Sequence, residues 1–202
     1  MSAGIPKNQP QHAVNCPMIP AGIWHGTHNL VDITTVKGCT MTDLLEGAPA
    51  PDFTLPLDDG SSFHLASHLG HPVVLYFYPE DDSGGCTDEN REFSERMDAF
   101  HALGARLVGI SPDSVEKHRK FRSKYGLKSP LASDPERMAI EAYGLWKLKK
   151  LYGREFMGLI RTSFIIGADG RIVRIIRATR ILGHAQKVLE ALELHVAATS
   201  AE

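Results

Sequence analysis

The stretch that decides the fold reads Val73-Val-Leu-Tyr-Phe-Tyr-Pro-Glu-Asp-Asp-Ser-Gly-Gly-Cys-Thr-Asp-Glu89. Its first six residues are all apolar or aromatic, which is typical of a strand buried on both faces of a sheet. A polar loop ending in two glycines follows. From Cys86 onward, apolar residues recur at helical spacing. The stretch therefore predicts a central strand, a loop and a helix that begins near Cys86.

The remaining patterns predict alternating strands and helices. The turns Asp58-Asp-Gly60 and Ala168-Asp-Gly170 each predict a β-hairpin, because glycine readily supplies the positive φ that such turns need. A parallel β-α-β half followed by an antiparallel β-β-α half resembles a thioredoxin-like fold of the α/β class, with an N-terminal β-hairpin added. The predicted elements are strands at 53–55, 62–65 and 73–78, a helix from Cys86 to Leu103, a strand at 106–110, a helix at 115–125, a short apolar piece at Leu131, a helix begun by Asp134-Pro135, strands at 162–166 and 171–176, and a helix over 185–196.

Composition excludes several classes of protein. The chain has 202 residues, 43% of them hydrophobic, and a formal net charge of −2. A disordered chain is less apolar, and no apolar run approaches the roughly 20 residues of a membrane helix. A nucleic-acid-binding protein is normally strongly basic. Three cysteines are too few to staple a secreted scaffold, so we expect a reducing compartment, the cytoplasm.

The first forty residues differ from the rest. They carry only Lys7, Asp32 and Lys37 as charged residues and have no helical or strand periodicity. We therefore predict an irregular or disordered extension at 1–40 and a thioredoxin-like domain at 41–202. The change in composition and patterning at residue 41 favours Met41 as the natural start. An upstream readthrough, an expression artefact and a disordered tail are the open explanations of residues 1–40.

Cys86 is the candidate nucleophile. The glycines before it let a small ligand approach the backbone closely, and the N–H groups at a helix N-terminus favour a thiolate. Ser83 lies three residues upstream and can direct its hydroxyl into the same pocket. An inert, buried thiol is the alternative. The loop and helix alone support both interpretations equally.

The spacing Pro79-x-x-x-Ser83-x-x-Cys86-x-x-Glu89 resembles the active-site signature of the peroxiredoxins. The surrounding residues resemble the Q-type subfamily, also called bacterioferritin comigratory proteins. Arg161 occupies the place of the family's active-site arginine, and the resemblance extends from about residue 47 to the closing helix.

The resemblance implies a thiol-dependent peroxidase acting on hydrogen peroxide and organic hydroperoxides without a metal or other cofactor. Cys86 is then the peroxidatic cysteine, which becomes a sulfenic acid. Arg161 and the Cys86 N–H group hold the thiolate and polarise the peroxide. Ser83 hydrogen-bonds the peroxide, and Pro79 shields the thiolate from water. Glu89 orients Arg161.

The chain departs from the family at one important position. Arg91 stands where many Q-type members have a resolving cysteine, and no cysteine follows Cys86. Within the chain, a resolving thiol can come only from Cys39 or Cys16, both in the 1–40 extension. We therefore expect a one-cysteine mechanism in which thioredoxin, glutaredoxin or glutathione reduces the sulfenic acid. The resemblance leaves a monomer and a weak homodimer open, and we expect no nucleic-acid or membrane partner.

Several features of the sequence allow other interpretations. The rival from another class is a catalytically inactive thioredoxin-fold binding module that keeps the motif by descent. A Cys/His protease is disfavoured by the arginine and the Pro/Ser signature. Because no metal-ligand spacing is present, His12, His25 and His28 are expected to be solvated, and His184 to be structural. The basic residues from Lys147 onward are either a solvated face or a surface that steers anions.

Overall fold

The computed structural model describes residues 44–151 and 153–200. The predictions for residues 1–40, for Cys16 and Cys39 and for the start at Met41 lie outside the described residues. The strands are β1 (Thr54–Pro56), β2 (Ser62–His64), β3 (Val73–Phe77), β4 (Arg106–Ser111), β5 (Leu131–Ser133), β6 (Trp146–Leu151), β7 (Arg154–Leu159), β8 (Thr162–Ile166) and β9 (Ile172–Arg177). The helices are α1 (Gly84–Glu95), α2 (Met97–Ala102), α3 (Val115–Tyr125), α4 (Met138–Ala142) and α5 (His184–Thr199), with a short 3-10 helix at Leu65–His68.

Strand β3 lies at the centre of a five-stranded sheet whose order is β5-β4-β3-β8-β9. β3 pairs with β4 in parallel and with β8 in antiparallel orientation, and β4 pairs with β5 in parallel. This mixed sheet, flanked by helices, confirms the predicted thioredoxin-like fold. No helix in the described part of the chain is both long and apolar enough to cross a bilayer.

Alternate residues of β3 point into two separate cores, which is why every position of the strand is apolar. Leu75 and Phe77 pack with Phe164 on the face that also contacts the β1–β2 hairpin. Val74 and Tyr76 pack on the other face. This second core also contains Cys86 and the inward-facing residues of the helices, namely Phe93, Phe100, Phe121, Ala185, Val188 and Leu192.

Three elements differ from the sequence-based expectation. The predicted helix over 86–103 breaks at Arg96, whose ψ of 5° ends α1 and whose side chain donates to the Glu92 carbonyl left without a helical partner. The helix predicted from Asp134 begins only at Met138, because Arg137 has a φ of 61°. The sequence does not predict the β6–β7 hairpin, because its lysines interrupt the alternation of apolar and polar residues that indicates a strand.

A buried network holds the loop before Cys86 against α3. The Asp81 carboxylate accepts from the Tyr78 hydroxyl (2.7 Å) and lies 2.7 Å from Nδ1 of His118. His118 Nε2 lies 3.3 Å from the Ala132 carbonyl. Both side chains of the His118–Asp81 pair are fully buried, so their contact is made out of reach of water.

The acidic residues on either side of Asp81 also contact α3. Lys117 donates to Glu80 (3.2 Å), and Lys124 donates to both carboxylate oxygens of Asp82. Three consecutive acidic residues thus tie the loop to one helix. The two outer ion pairs are exposed and contribute little, so the buried contact of Asp81 is the main anchor.

Substituting Gly109 tests the packing of the central strands. A Cβ at this position of β4 would lie 2.5 Å from the Tyr76 ring, which is held by bonds from its hydroxyl to Asn90 and Ser129. We expect Gly109→Ala to lower the free energy of unfolding by about 1–3 kcal/mol or more in guanidinium denaturation. Gly84→Ala is the control, since its Cβ would meet no atom within 4 Å. Equal stability of the two variants would contradict this packing.

Substituting His118 tests the anchor of the loop. His118→Leu fills a similar volume with an apolar side chain but leaves the buried Asp81 carboxylate with only the Tyr78 hydroxyl as its side-chain partner. We expect a loss of about 3–5 kcal/mol in the free energy of unfolding, measured by denaturant titration. Lys117→Ala removes only partly exposed ion pairs on the same helix and should cost about 1 kcal/mol or less. A similarly small loss in His118→Leu would mean that the pair does not anchor the loop.

Candidate active site

Cys86 is the third residue of α1, and its side chain is fully buried. The first bond within the helix runs from the Thr87 N–H to the Ser83 carbonyl (2.9 Å). The N–H groups of Gly84, Gly85 and Cys86 therefore precede the helical ladder and form the positive end of the helix dipole. Cys86 therefore lies in the first turn of the helix, where the backbone N–H groups favour negative charge.

Glycine at position 85 allows a neighbouring segment to cover the start of α1. A Cβ on Gly85 would lie 2.4 Å from Cδ1 of Ile181, in the turn before α5. The Ile181 side chain therefore packs directly on the Gly85 backbone, one residue from Cys86. This contact helps keep water away from the thiol.

Arg161 joins Cys86 to Glu89. The guanidinium donates from Nη2 to the Cys86 Sγ atom (3.1 Å) and from Nη1 to Glu89 Oε2. Cys86 and Glu89 are three residues apart on α1 and therefore lie on the same helix face. Arg161 is 15% exposed and Glu89 is 1% exposed. One forked cation thus bonds a thiol and a buried carboxylate at the same time.

The guanidinium keeps its positive charge in this buried position. Burial disfavours the charged form, but the charges of Glu89 and Cys86 and their hydrogen bonds outweigh it and raise the pKa of Arg161. A second cation, Lys149 on β6, lies near enough to be affected. Burial and the charge of Arg161 lower the pKa of Lys149, whereas Cys86 opposes the change. Positive charge therefore predominates around the thiol.

Only one of the two carboxylate oxygens of Glu89 has a hydrogen-bond partner. Burial raises the pKa of Glu89 to about 7, against the opposing charge and hydrogen bond of Arg161. Its second oxygen, Oε1, has no hydrogen-bond partner, and it is the one buried side-chain polar atom of this kind in residues 44–151 and 153–200. His184 Nε2 lies 4.0 Å from Oε1. Burial, with Arg161 and Lys187, lowers the pKa of His184 to about 4.

The structure brings three of the predicted site residues into contact, namely Cys86, Arg161 and Glu89. Ser83 is the N-cap of α1, and its hydroxyl donates to the Glu80 carbonyl (3.2 Å). Pro79 follows β3 and is partly exposed. The roles of Ser83 and Pro79 toward a peroxide stay predictions.

Sequence reasoning missed the partners of the site. Asp81 and His118 lie 37 positions apart, and only the inward helical spacing of His118 with Phe121 marked it as buried. His184 was expected to be structural; it is buried and bonded to Ser163 (2.8 Å), directly behind Glu89. No group of three or more potential metal ligands occurs in the described ranges.

Arg91 has a structural role of its own. Its guanidinium lies 4.9 Å from the centre of the Tyr125 ring, which is a cation–π contact between α1 and α3. Arg91, at the position where the resemblance implied a resolving cysteine, therefore links two helices.

The comparisons with known proteins agree with this geometry. A family model described as the AhpC/TSA family matches residues 47–175. Peroxiredoxin Bcp of Bacillus subtilis is 40% identical over 147 residues, which cover 73% of this chain and 94% of the relative. Peroxiredoxin Bcp of Xanthomonas campestris is 38% identical over 157 residues, 77% of this chain and 98% of the relative.

Solved structures agree as well. Peroxiredoxin Q of Xanthomonas campestris has a TM-score of 0.70 and 36% identity, with coverage of 77% of this chain and 99% of that one. The bacterioferritin comigratory protein of the same organism, studied for its alkyl peroxide reduction activity, has a TM-score of 0.68, 36% identity and coverage of 71% and 92%. A catalytically inactive binding module is not favoured by these relatives. The chain belongs to the AhpC/TSA family, and within it to the Bcp or Q-type peroxiredoxins, which makes it a thiol-dependent peroxidase.

Proposed function

We propose that Cys86 is the peroxidatic cysteine and that Arg161 is its catalytic partner. The observation that carries the proposal is the 3.1 Å bond from Arg161 Nη2 to Cys86 Sγ at the N-terminus of α1. A fixed cation and free backbone donors at one sulfur atom favour the thiolate, which is the nucleophilic form of cysteine.

In the proposed reaction, the Cys86 thiolate attacks the terminal oxygen of a hydroperoxide. The S–O bond forms as the O–O bond breaks, so the sulfur is oxidised to a sulfenic acid and the peroxide is reduced. The departing alkoxide or hydroxide takes up a proton from solvent and leaves as an alcohol or water. In this proposal, Arg161 and the Cys86 N–H group stabilise the negative charge that develops on the departing oxygen.

Ser83 and Pro79 complete the proposed pocket. Because the Ser83 hydroxyl donates its hydrogen to the Glu80 carbonyl, its oxygen lone pairs are left to accept the O–H of a peroxide. Pro79 has no N–H to offer and shields the thiolate from water. Glu89 holds Arg161 in place through Nη1, beside the Nη2 group that contacts the thiol, and is a positioning residue.

The proposed substrates are hydrogen peroxide and small organic hydroperoxides. The family supports a peroxide as substrate, and the Xanthomonas campestris relative studied for alkyl peroxide reduction supports the organic class. Because Cys86 is fully buried, we expect it to favour peroxides that are not bulky next to the O–O bond.

We propose a one-cysteine cycle in which an external thiol reduces the sulfenic acid. Arg91 stands at the usual resolving position and contacts Tyr125, which supports this route. Thioredoxin, glutaredoxin and glutathione are the candidate reductants, and the cytoplasm supplies all three classes. Cys39 is the alternative resolving residue. A monomer or weak homodimer suits a site built from residues of one chain.

Substitutions at the two central residues test the proposal. We expect Cys86→Ser to abolish thiol-dependent peroxide consumption. Arg161→Ala should lower the second-order rate constant with hydrogen peroxide about 10²–10³-fold, the usual effect of losing one donor to developing charge. The control is Arg171→Ala, an exposed arginine on the β8–β9 turn, which should keep the rate. An Arg161→Ala rate close to that of the control would refute the role of Arg161.

A trapping experiment decides between the one-cysteine cycle and internal resolution. The reduced protein is treated with a small excess of peroxide, with and without a sulfenic-acid trap, and its peptides are identified by mass spectrometry. We expect a trap adduct confined to Cys86. A disulfide from Cys86 to Cys39 or Cys16 would replace the one-cysteine cycle with internal resolution. Unmodified Cys86 would refute its peroxidatic role.

A further inference from the structure

The unsatisfied oxygen of Glu89 marks a feature that the proposed reaction does not use. Oε1 of Glu89 is buried and accepts no hydrogen bond, although Oε2 is bonded to Arg161. A bare carboxylate oxygen away from water is costly. Protonation of Oε1 removes the negative charge but creates an O–H donor. The cost is therefore removed only if a hydrogen-bond acceptor lies near this O–H group.

His184 offers such an acceptor. It lies at the start of α5, is 2% exposed, and has its Nε2 atom 4.0 Å from Glu89 Oε1. Nε2 is 2.8 Å from the hydroxyl of Ser163 on β8. The Ser163 hydroxyl can donate to Nε2, and it can therefore hold this nitrogen while Glu89 is ionised and has no proton to donate. An approach of about 1 Å between the two side chains would form a Glu89–His184 hydrogen bond.

We propose that His184 is a positioning residue whose Nε2 atom accepts a hydrogen bond from protonated Glu89 Oε1. This proton determines how much of the Arg161 charge acts on Cys86 and how much is offset by Glu89. The inference rests on the proposed role of Cys86. With Glu89 protonated and neutral, the whole charge of Arg161 acts on the thiolate. With Glu89 ionised, its negative charge offsets Arg161 and opposes the thiolate.

The neutral state of His184 supports this direction of transfer. Burial, Arg161 and Lys187 all disfavour a charged ring, so the ring is neutral at neutral pH, and in the tautomer with its hydrogen on Nδ1 the Nε2 atom is an acceptor. Burial favours the protonated form of Glu89. Other charged or titratable groups also act on the pair or on Arg161. They are Cys86 and Glu92 on α1, Tyr76 on β3, Lys149 on β6 and Lys187 on α5.

The test is the alkylation rate of Cys86 as a function of pH, read from the Cys86 peptide by mass spectrometry. His184→Leu removes the acceptor, so Glu89 ionises more readily and the thiolate forms at higher pH. We expect alkylation at pH 7 to slow about three- to tenfold, a shift of half to one pH unit. His184→Gln keeps an acceptor and should restore part of the rate. His195→Leu, on the same helix but far from Glu89, is the matched control.

Two further variants separate this role from a structural one. In a Glu89→Gln background the position cannot ionise, so adding His184→Leu should leave the alkylation profile unchanged. Ser163→Ala frees Nε2 to approach Glu89 and should shift the profile in the opposite sense, toward lower pH. An equal effect of His184→Leu in both backgrounds, or no effect in either, would overturn the inference. Alkylation needs no peroxide, so the result is independent of whether Cys86 forms a sulfenic acid.

Unfolding measurements across pH detect the same proton. The pKa of Glu89 is about 7 in the folded protein against an ordinary 4.5. Between these values the folded state holds a proton that the unfolded state has released, so the free energy of unfolding falls as pH rises. Glu89→Gln should remove this part of the slope, and His184→Leu should end it at lower pH. An unchanged slope in Glu89→Gln would contradict a proton on Glu89.

Discussion

The forked contact of Arg161 with Cys86 and Glu89 is the interaction on which the site depends. Cys86 and Glu89 are three residues apart on one helix and both are removed from water, so negative charge on both side chains at once would be costly. An ammonium group has all its N–H donors on one nitrogen, whereas a guanidinium carries them on separate nitrogens in a fixed plane, so Nη2 bonds Cys86 while Nη1 bonds Glu89. The arginine thus allows the helix to bury two acidic groups on the same face, beside its own positive N-terminus.

The sheet explains why Arg161 meets Cys86 although 75 residues separate them. β3 and β8 pair in antiparallel orientation with Phe77 opposite Thr162, so the chain leaving β3 toward the Cys86 loop passes beside the residue that enters β8. The loop is then held by the buried contact of Asp81 with His118. The register of the sheet sets the position of the cation, and the loop anchor sets the position of the thiol.

The sequence predicted the central strand and the order of the main elements, because these depend on local periodicity. Cys86, Arg161 and Glu89 were chosen as site residues on the resemblance to the peroxiredoxin signature, and the folded chain brings the three into contact. The sequence did not predict the break at Arg96 or the β6–β7 hairpin, where ion pairs and backbone geometry outweigh apolar pattern. Contacts such as Asp81 with His118, or His184 behind Glu89, join distant segments. Only the folded chain reveals them, since no local spacing encodes which buried polar groups will meet.

The half-satisfied state of Glu89 follows from the geometry of the guanidinium. Two of its N–H groups are directed at Cys86 and at Glu89 Oε2, and Arg161 is held by the strand register, so it cannot turn toward Oε1 without leaving the sulfur atom. A group on the far side of Glu89 has to satisfy that oxygen. The closing helix α5 is the element packed there, and it begins with a histidine whose neighbour on β8 already holds its ring. The unsatisfied Oε1 atom of Glu89 therefore links helix α5, through His184, to Arg161 and the Cys86 thiol.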